Sequence, residues 1–306
     1  MLEEVVFVLN SNTLRNERMS NILRETTANI SDCGYSCSVV TSKRFFGESR
    51  ERFDKKVMLM VADEQKTSER LLQEGFYCVG MKHEGNGRVS FPKVRYIFSD
   101  IGEVDIDSFV KVYQRHAGEP WEILRTERLL IRETTVEDVD EFYKIYKDPD
   151  ITRYMEGLFE DPEDEKRYQR DYIEKVYGLM GFGVWTLVNL EDGAVVGRAG
   201  YSIRNGFDDI ELGFLVGLKY QGKGYATEAC RAILDYGKNV LKFENVQTLV
   251  KAENEVSIHL CEKLGFKRMD EVDVEENIYG NQYKEGQKAA NERSTHGKYI
   301  RMRLVF

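Results

Sequence analysis

One segment in the last third of the chain constrains the fold more than any other. It reads ELGFLVGLKYQGKGYATEA and begins at Glu211. A β-prone apolar run passes through a short glycine-bearing loop directly into a helix whose first residues are small. The loop amides and the unpaired amides of the first helical turn then converge on one point, where the helix dipole also favours negative charge. The segment predicts either a phosphate or pyrophosphate site or a merely tight connection.

The residue spacing within this loop indicates which phosphate ligand it would bind. The loop matches neither GxxxxGK[ST] nor GxGxxG. Gln221, Gly224 and Ala226 instead fit the pattern Gln-x-x-Gly-x-Ala, which resembles the pyrophosphate loop of the GNAT acetyltransferase superfamily. Further along, NEVSIHLCEKLGF from Asn254 resembles the second signature of that family. The segment TERLLIR from Thr126 extends the resemblance over the C-terminal part of the chain.

The resemblance implies a co-substrate and a set of residues that bind it. The branch in question includes ribosomal-protein N-terminal acetyltransferases and several drug and polyamine acetyltransferases. Acetyl-CoA is the implied co-substrate, and the strand before the loop is expected to splay from its neighbour. The acyl and pantetheine arm would lie against Phe214, Leu215, Val216, Asn254 and Ser257. The pyrophosphate would lie against Gln221, Gly222, Lys223, Gly224, Tyr225 and Ala226.

The implied reaction is direct attack of a neutral amine on the thioester, without a covalent enzyme intermediate. Glu211 is the predicted base, acting through a water, because it lies on the strand that approaches the thioester; the alternative is a solvent-facing carboxylate. Cys261 is a candidate proton donor to the CoA thiolate, because many relatives carry a tyrosine there. The alternative is a buried structural cysteine. Tyr201 and bulk water are the other candidate donors.

A break in the helical pattern near residue 118 predicts a boundary between two domains. Gly118 and Pro120 interrupt the helical pattern of the preceding segment. We therefore expect domains at residues 1–119 and 120–306, each large enough to bury its own core. The first alternates strands with helices, which predicts a small, Rossmann-like α/β domain with a parallel sheet. For the second, the GNAT resemblance and an antiparallel meander predict an α+β fold with a mixed, mostly antiparallel sheet.

The opening of the first domain carries a weaker resemblance. FVLNSNT from Phe7 has the outline of the haloacid-dehalogenase phosphatase signature, and the strand ending at Asp63 is placed like a later motif of that family. Both signature aspartates are replaced, by Asn10 and Asn12, and asparagine replaces neither the nucleophile nor the proton carrier. The alternatives are a degenerate phosphatase fold, retained for stability, assembly or binding, and an unrelated small α/β domain.

Composition argues against several other classes. The formal net charge is −9 and no lysine and arginine cluster is long enough to follow a phosphate backbone, so nucleic acid is not a predicted partner. No apolar run approaches the roughly 20 residues of a membrane span. The five cysteines form no CxxC pair and have no histidines at ligand spacing beside them. We therefore predict no metal site and a cytoplasmic location.

No motif identifies the acceptor, because the substrate loops of GNAT enzymes vary freely. We expect a primary amine, either a protein N-terminus or a small molecule. Asp208, Asp209 and the acidic run Glu160 to Glu165 would attract a cationic acceptor; the alternative is a solvated surface. The polar run from Val274 to His296 predicts a mobile loop near the acceptor. One alternative function is a catalytically silent CoA-binding sensor or scaffold. Another is a phosphohydrolase in which the acyltransferase fold has no catalytic role.

Overall fold

A computed structural model of the chain describes residues 1–47, 54–276, 281–284 and 295–306. The chain divides into two compact units, Met1–Glu119 and Pro120–Phe306. Each unit has its own sheet and its own buried cores. The two units are therefore described one after the other.

The first unit is built on a five-stranded parallel sheet in the order β2-β1-β3-β4-β5. Its strands are β1 (Glu4–Leu9), β2 (Ser36–Thr41), β3 (Met58–Ala62), β4 (Tyr77–Met81) and β5 (Ile97–Phe98). Its helices are α1 (Ser11–Arg15), α2 (Glu17–Asp32), α3 (Ser42–Gly47), α4 (Gln65–Gln73) and α5 (Ile106–Ala117). The parallel sheet predicted from the sequence is confirmed.

Strand β1 shows why this sheet is covered on both faces. Its side chains alternate between the faces because a strand repeats every two residues. Phe7 packs in the core that contains residues of α2 and α5, whereas Val6 and Val8 pack in the core with Phe45 and Leu71 from α3 and α4. A strand buried on both faces is expected at the centre of a parallel sheet flanked by helices.

The second unit is built on an eight-stranded sheet in the order β12-β13-β11-β10-β9-β8-β7-β6. Its strands are β6 (Glu122–Arg125), β7 (Leu129–Arg132), β8 (Val184–Asn189), β9 (Val195–Ser202), β10 (Glu211–Val216), β11 (Asn245–Lys251), β12 (Lys267–Glu276) and β13 (Thr295–Val305). Its helices are α6 (Asp138–Tyr146), α7 (Pro149–Thr152), α8 (Pro162–Tyr172), α9 (Gly178–Met180), α10 (Tyr225–Asn239) and α11 (Glu255–Lys263). A π-helical turn, Ile173–Tyr177, joins α8 to α9.

This sheet is antiparallel at every described pairing except the parallel pair β10–β11. The predicted mixed, mostly antiparallel sheet is therefore confirmed. Helix α10 covers one face of the sheet, since Ala229, Cys230 and Ile233 are fully buried at helical spacing. Tyr201 on β9 packs beneath it and donates a hydrogen bond from its hydroxyl to the Ile233 carbonyl at 2.8 Å.

The region after Val274 differs from the expectation of a loop that ends at His296. Strand β12 continues to Glu276, and β13 begins at Thr295, so both ends of the predicted loop are paired strand. The rest of that prediction lies mostly outside the described residues, apart from residues 281–284. Within that short piece, Tyr283 contacts the rings of Phe159 and Tyr168.

Candidate active site

The parallel strands β10 and β11 separate almost as soon as they meet. Their only register pair is Glu211 with Gln247, next to a 2.9 Å backbone hydrogen bond from Gln247 to Ile210. Beyond that point β10 remains paired with β9 but not with β11. A cavity of about 930 Å³ opens in the gap and is lined by residues of both strands. The backbone edge of β10 is therefore free to pair with a ligand.

Most of the residues named from the sequence line this one cavity. These are Glu211, Phe214, Leu215, Val216, Gln221, Gly222, Gly224, Tyr225, Ala226, Asn254 and Ser257. Lys223 and Cys261 are not part of the lining. The splayed strand, the glycine loop and the start of α11 thus form the walls of a single cleft, although the binding roles of the individual residues remain predictions.

The loop between β10 and α10 has the backbone that an anion site needs. Gly222 and Gly224 have φ values of 72° and 83°, a left-handed conformation that residues with a side chain rarely adopt. Gly224 is the N-cap of α10, and no side chain caps this helix end. The amide of Gln221 steadies the base of the loop by donating from Nε2 to the Val216 carbonyl at 3.0 Å. The first amides of α10 are therefore available to an anionic ligand.

Glu211 lies at the point where the two strands part. The residue is only 7% exposed, and Arg204 Nε donates to Glu211 Oε2 at 2.8 Å. Burial raises the pKa of Glu211 above its ordinary value, and the Arg204 guanidinium opposes that rise. A buried carboxylate with a raised pKa at the mouth of a cleft is suited to accept a proton.

Two of the candidate proton donors are buried and do not line the cavity. Cys261 is fully buried in the core beneath the cavity, and burial raises the pKa of its thiol to about 12. Tyr201 is equally buried, burial raises the pKa of its phenol, and its hydroxyl is committed to the Ile233 carbonyl. Neither side chain lines the cavity. The packing therefore favours the structural interpretation of Cys261 over the catalytic one.

Several cavity residues have no counterpart in the sequence argument. Tyr299 on β13 lines the cleft and donates from its hydroxyl to Glu276 Oε1 at 2.6 Å. Lys251, the register partner of Tyr299, lies 3.0 Å from the same carboxylate. Arg204 and Glu156 complete the charged wall near Glu211. Strand pairing brings Tyr299 and Lys251 together, whereas Arg204 and Glu156 lie in loops. These residue types are common on any surface, so no sequence signal identified them.

A second cavity of about 450 Å³ adjoins the first. The two share Tyr146, Met155, Glu156, Arg198 and Lys251 in their linings. The second is also lined by the carboxylates of Glu160, Glu165 and Glu276. Burial raises the pKa of Glu165, against the hydrogen bond that its carboxylate accepts from the Phe159 amide at 3.1 Å. The cleft therefore continues into a space with several acidic groups.

In the first unit, the segment after β1 meets the end of β3. Asp63 is 1% exposed and accepts hydrogen bonds from the Asn10 amide at 2.9 Å and the Thr13 hydroxyl at 2.5 Å. His83 Nε2 lies 3.5 Å from the same carboxylate. Among the residues that the structure describes, no group of three or more histidine, cysteine or acidic side chains is placed to hold a metal ion. The haloacid-dehalogenase resemblance stays a prediction.

No helix in the described part of the chain is long and apolar enough to cross a membrane.

Comparison with known proteins gives the C-terminal unit a family. The model of the GNAT acetyltransferase domain matches residues 128–267. The chain is 31% identical to the uncharacterized N-acetyltransferase p20 of Bacillus licheniformis over 153 residues, covering 48% of this chain and 83% of that protein. It is 32% identical to the uncharacterized protein YkkB of Bacillus subtilis, covering 46% and 83%.

Two further relatives cover different extents. The spermidine N(1)-acetyltransferase of Escherichia coli K12 is 43% identical over 56 residues, which is 18% of this chain and 30% of that protein. A solved GNAT-family acetyltransferase from Bacillus anthracis is 24% identical, covers 60% of this chain and 97% of its own, and has a TM-score of 0.45. GNAT acetyltransferases use acetyl-CoA as their co-substrate. Through its C-terminal unit the chain belongs to the GNAT acetyltransferase family and is an acetyl-transferring enzyme.

Proposed function

We propose that the C-terminal unit transfers the acetyl group of acetyl-CoA directly to a primary amine. The observation that carries this proposal is the cleft between β10 and β11, with the glycine loop at one end of β10 and Glu211 at the other. The edge of β10 at Phe214 to Val216, which β11 leaves unpaired, would lie against the pantetheine arm. The amides at the start of α10 would bind the pyrophosphate.

Glu211 is the proposed base. As the amine nitrogen bonds to the acetyl carbon and the carbon–sulfur bond breaks, the amine gives up a proton, directly or through a water, to the Glu211 carboxylate. The departing thiolate takes a proton from solvent, since Cys261 is buried away from the cleft. Arg204 favours the ionised form of Glu211 in a buried site, which by itself favours the neutral acid.

The acceptor proposed here is an amine that carries a second positive charge. The cavity adjoining the cleft supports this proposal, because four glutamates line it against two cations, Arg198 and Lys251, and it would hold a distal ammonium group while the reacting amine lies near Glu211. The short, similar stretch in a protein named spermidine N(1)-acetyltransferase points the same way. Glu156 lines both cavities and is therefore the residue at which the two amines would be distinguished.

The deciding experiment measures CoA release from acetyl-CoA with diamines, polyamines, aminoglycosides, peptides and monoamines of matched length. We expect release that depends on the acceptor, with a higher kcat/KM for the diamine than for its matched monoamine. Glu211→Gln should lower kcat/KM by about a hundredfold, the usual loss for a missing general base. Cys261→Ser is the matched control and should keep the rate of the unchanged protein.

A second variant separates the acceptor proposal from the reaction itself. Glu156→Gln should raise KM for the diamine more than KM for the monoamine. CoA binding without release for any acceptor would favour the silent sensor. Preference for a peptide N-terminus without basic residues would rule out the doubly charged acceptor while leaving the transferase in place.

A further inference from the structure

We infer that Arg128, paired with Glu228, is a positioning residue that sets the shape and the charge of the pyrophosphate loop. The inference rests on the proposed acetyl-CoA site and deepens it. It also gives a physical role to the segment that begins at Thr126, which entered the sequence argument only as a resemblance. Arg128 directly precedes β7, and Glu228 lies in the first part of α10.

Arg128 and Glu228 form a compact set of contacts between β7 and α10. Arg128 Nε donates to Glu228 Oε2 at 2.7 Å, and the Arg128 backbone amide donates to Glu228 Oε1 at 2.9 Å. The Thr126 hydroxyl is a third donor to this carboxylate, and it binds Oε1 at 2.6 Å. The Glu228 side chain is 18% exposed and that of Arg128 is 40% exposed, so the carboxylate of this pair is shielded from solvent while the guanidinium is partly exposed.

The same guanidinium reaches the loop itself. Arg128 Nη1 donates to the Lys223 carbonyl at 2.9 Å, and the guanidinium lies 4.4 Å from the centre of the Tyr225 ring. A Cβ atom on Gly224 would come within 3.4 Å of Arg128 Nη2. Arg128 therefore contacts the residues on both sides of Gly224 as well as Gly224 itself.

These contacts orient a backbone amide. In a planar trans peptide the carbonyl and the following N–H point in roughly opposite directions. Because the Lys223 carbonyl is turned toward Arg128, the Gly224 N–H points away from Arg128. Gly224 lines the cavity and Lys223 does not. Arg128 thus holds the peptide in the orientation that presents its amide to an anion in the cleft.

The pairing also removes an unfavourable charge. A carboxylate near the first turn of a helix opposes the binding of an anion at that helix end. Burial raises the pKa of Glu228, but hydrogen bonds from Thr126 and Arg128 outweigh it and lower the pKa below its ordinary value. Glu228 is therefore ionised at neutral pH, and Arg128 is the cation that neutralises it next to the pyrophosphate.

The test measures CoA binding to the full-length protein by isothermal titration calorimetry. We expect Arg128→Gln to weaken CoA binding about tenfold, as for the loss of one charge-assisted contact. The double variant Arg128→Gln with Glu228→Gln should bind CoA more tightly than Arg128→Gln alone, because it removes the uncompensated carboxylate. Arg125→Gln, which breaks an exposed ion pair with Glu122, is the matched control and should bind CoA normally.

Steady-state kinetics distinguish positioning from a general loss of structure. In Arg128→Gln, KM for acetyl-CoA should rise while kcat at saturation and KM for the acceptor stay unchanged. Unaltered CoA binding in Arg128→Gln, or a double variant no tighter than the single one, would overturn the inference. A wild-type protein that binds no CoA would overturn the proposed function, and this inference with it.

Discussion

At the scale of single residues, the proposed chemistry depends on the ionisation of one carboxylate in a buried place. Glu211 is removed from water by the sheet, which by itself favours its neutral form. Arg204, at 2.8 Å, favours the charged form and is itself partly buried. The balance between these two opposing effects decides the pH at which Glu211 can accept a proton.

Removing the cation should shift that balance in one direction. In Arg204→Gln the opposing charge is lost and burial remains, so the pKa of Glu211 rises further. Because the base acts in its ionised form, the acidic limb of the kcat/KM profile should move to higher pH by about one unit. The measurement is a pH–rate profile with a single acceptor, so that the titration of the acceptor amine is common to all variants.

Arg268→Gln provides the control for this profile. Arg268 forms an exposed ion pair with Glu262, and neither residue lines the cleft. Its profile should superimpose on that of the unchanged protein. An Arg204→Gln limb that also superimposes would mean that Glu211 does not set the acidic limb.

The residues of the site were predictable in proportion to how local their geometry is. Gln221, Gly224 and Asn254 are recognisable because a loop or a helix cap fixes their roles within a few positions of sequence. Tyr299 reaches the cleft through the pairing of β13 with β11, strands that are distant in sequence, and such pairing leaves no pattern in a single sequence. Arg204 lies in the loop between β9 and β10, only seven residues from Glu211, but no motif marks it. The sequence indicates that Cys261 lies on α11, but packing decides which face of that helix meets the cavity, and Cys261 lies on the other side.

At the scale of elements, the position of β10 depends on a close approach of two backbones. Gly197 on β9 is the register partner of Val216, and a Cβ atom there would lie 2.0 Å from the Leu215 carbonyl oxygen. Gly213 on β10 has no atom within 4 Å of the corresponding position. The two glycines thus belong to the same strand pair but differ in the space around them.

Gly197→Ala should therefore destabilise the sheet, because the obstructing atom belongs to the backbone and cannot rotate away. We expect a loss of about 1–3 kcal/mol in the free energy of unfolding, the range for overpacked sites. Gly213→Ala should leave this free energy nearly unchanged. Urea unfolding of both variants, followed by the fluorescence of the buried Trp185, measures the difference; equal stability of the two would contradict the close approach.

Elements with a buried face were easier to predict than those held by pairing alone. Strand β1 shows its burial directly as a continuous apolar run. Strand β12 is mostly exposed and charged, and it is held against β13 by pairs such as Arg301 with Asp270 and Lys298 with Asp273. Its composition resembles that of a polar loop. The sequence therefore predicts a loop from Val274, inside this strand.

At the scale of the whole molecule, each unit has its own apolar cores. Those of the second unit consist of residues from Ile123 onward, and those of the first of residues up to Ala117. Every residue that lines the two cavities belongs to the second unit. The sequence placed a domain boundary between residues 119 and 120, because glycine and proline interrupt a helix there. No motif in the sequence identifies the function of the first unit.

The distribution of cores and cavities predicts that the segment 120–306 is an active enzyme by itself, since a domain with its own core folds alone. Expressed separately, it should unfold cooperatively and keep both the CoA affinity and the kcat of the full chain. Asp63→Ala in the full chain is the complementary variant, because it leaves the buried donors of Asn10 and Thr13 unpaired and should destabilise only the first unit. Transferase activity should survive that change. A folded segment 120–306 with weakened CoA binding or lower turnover would show instead that the first unit takes part in the reaction, and the search for its role would then begin at the polar cluster around Asp63.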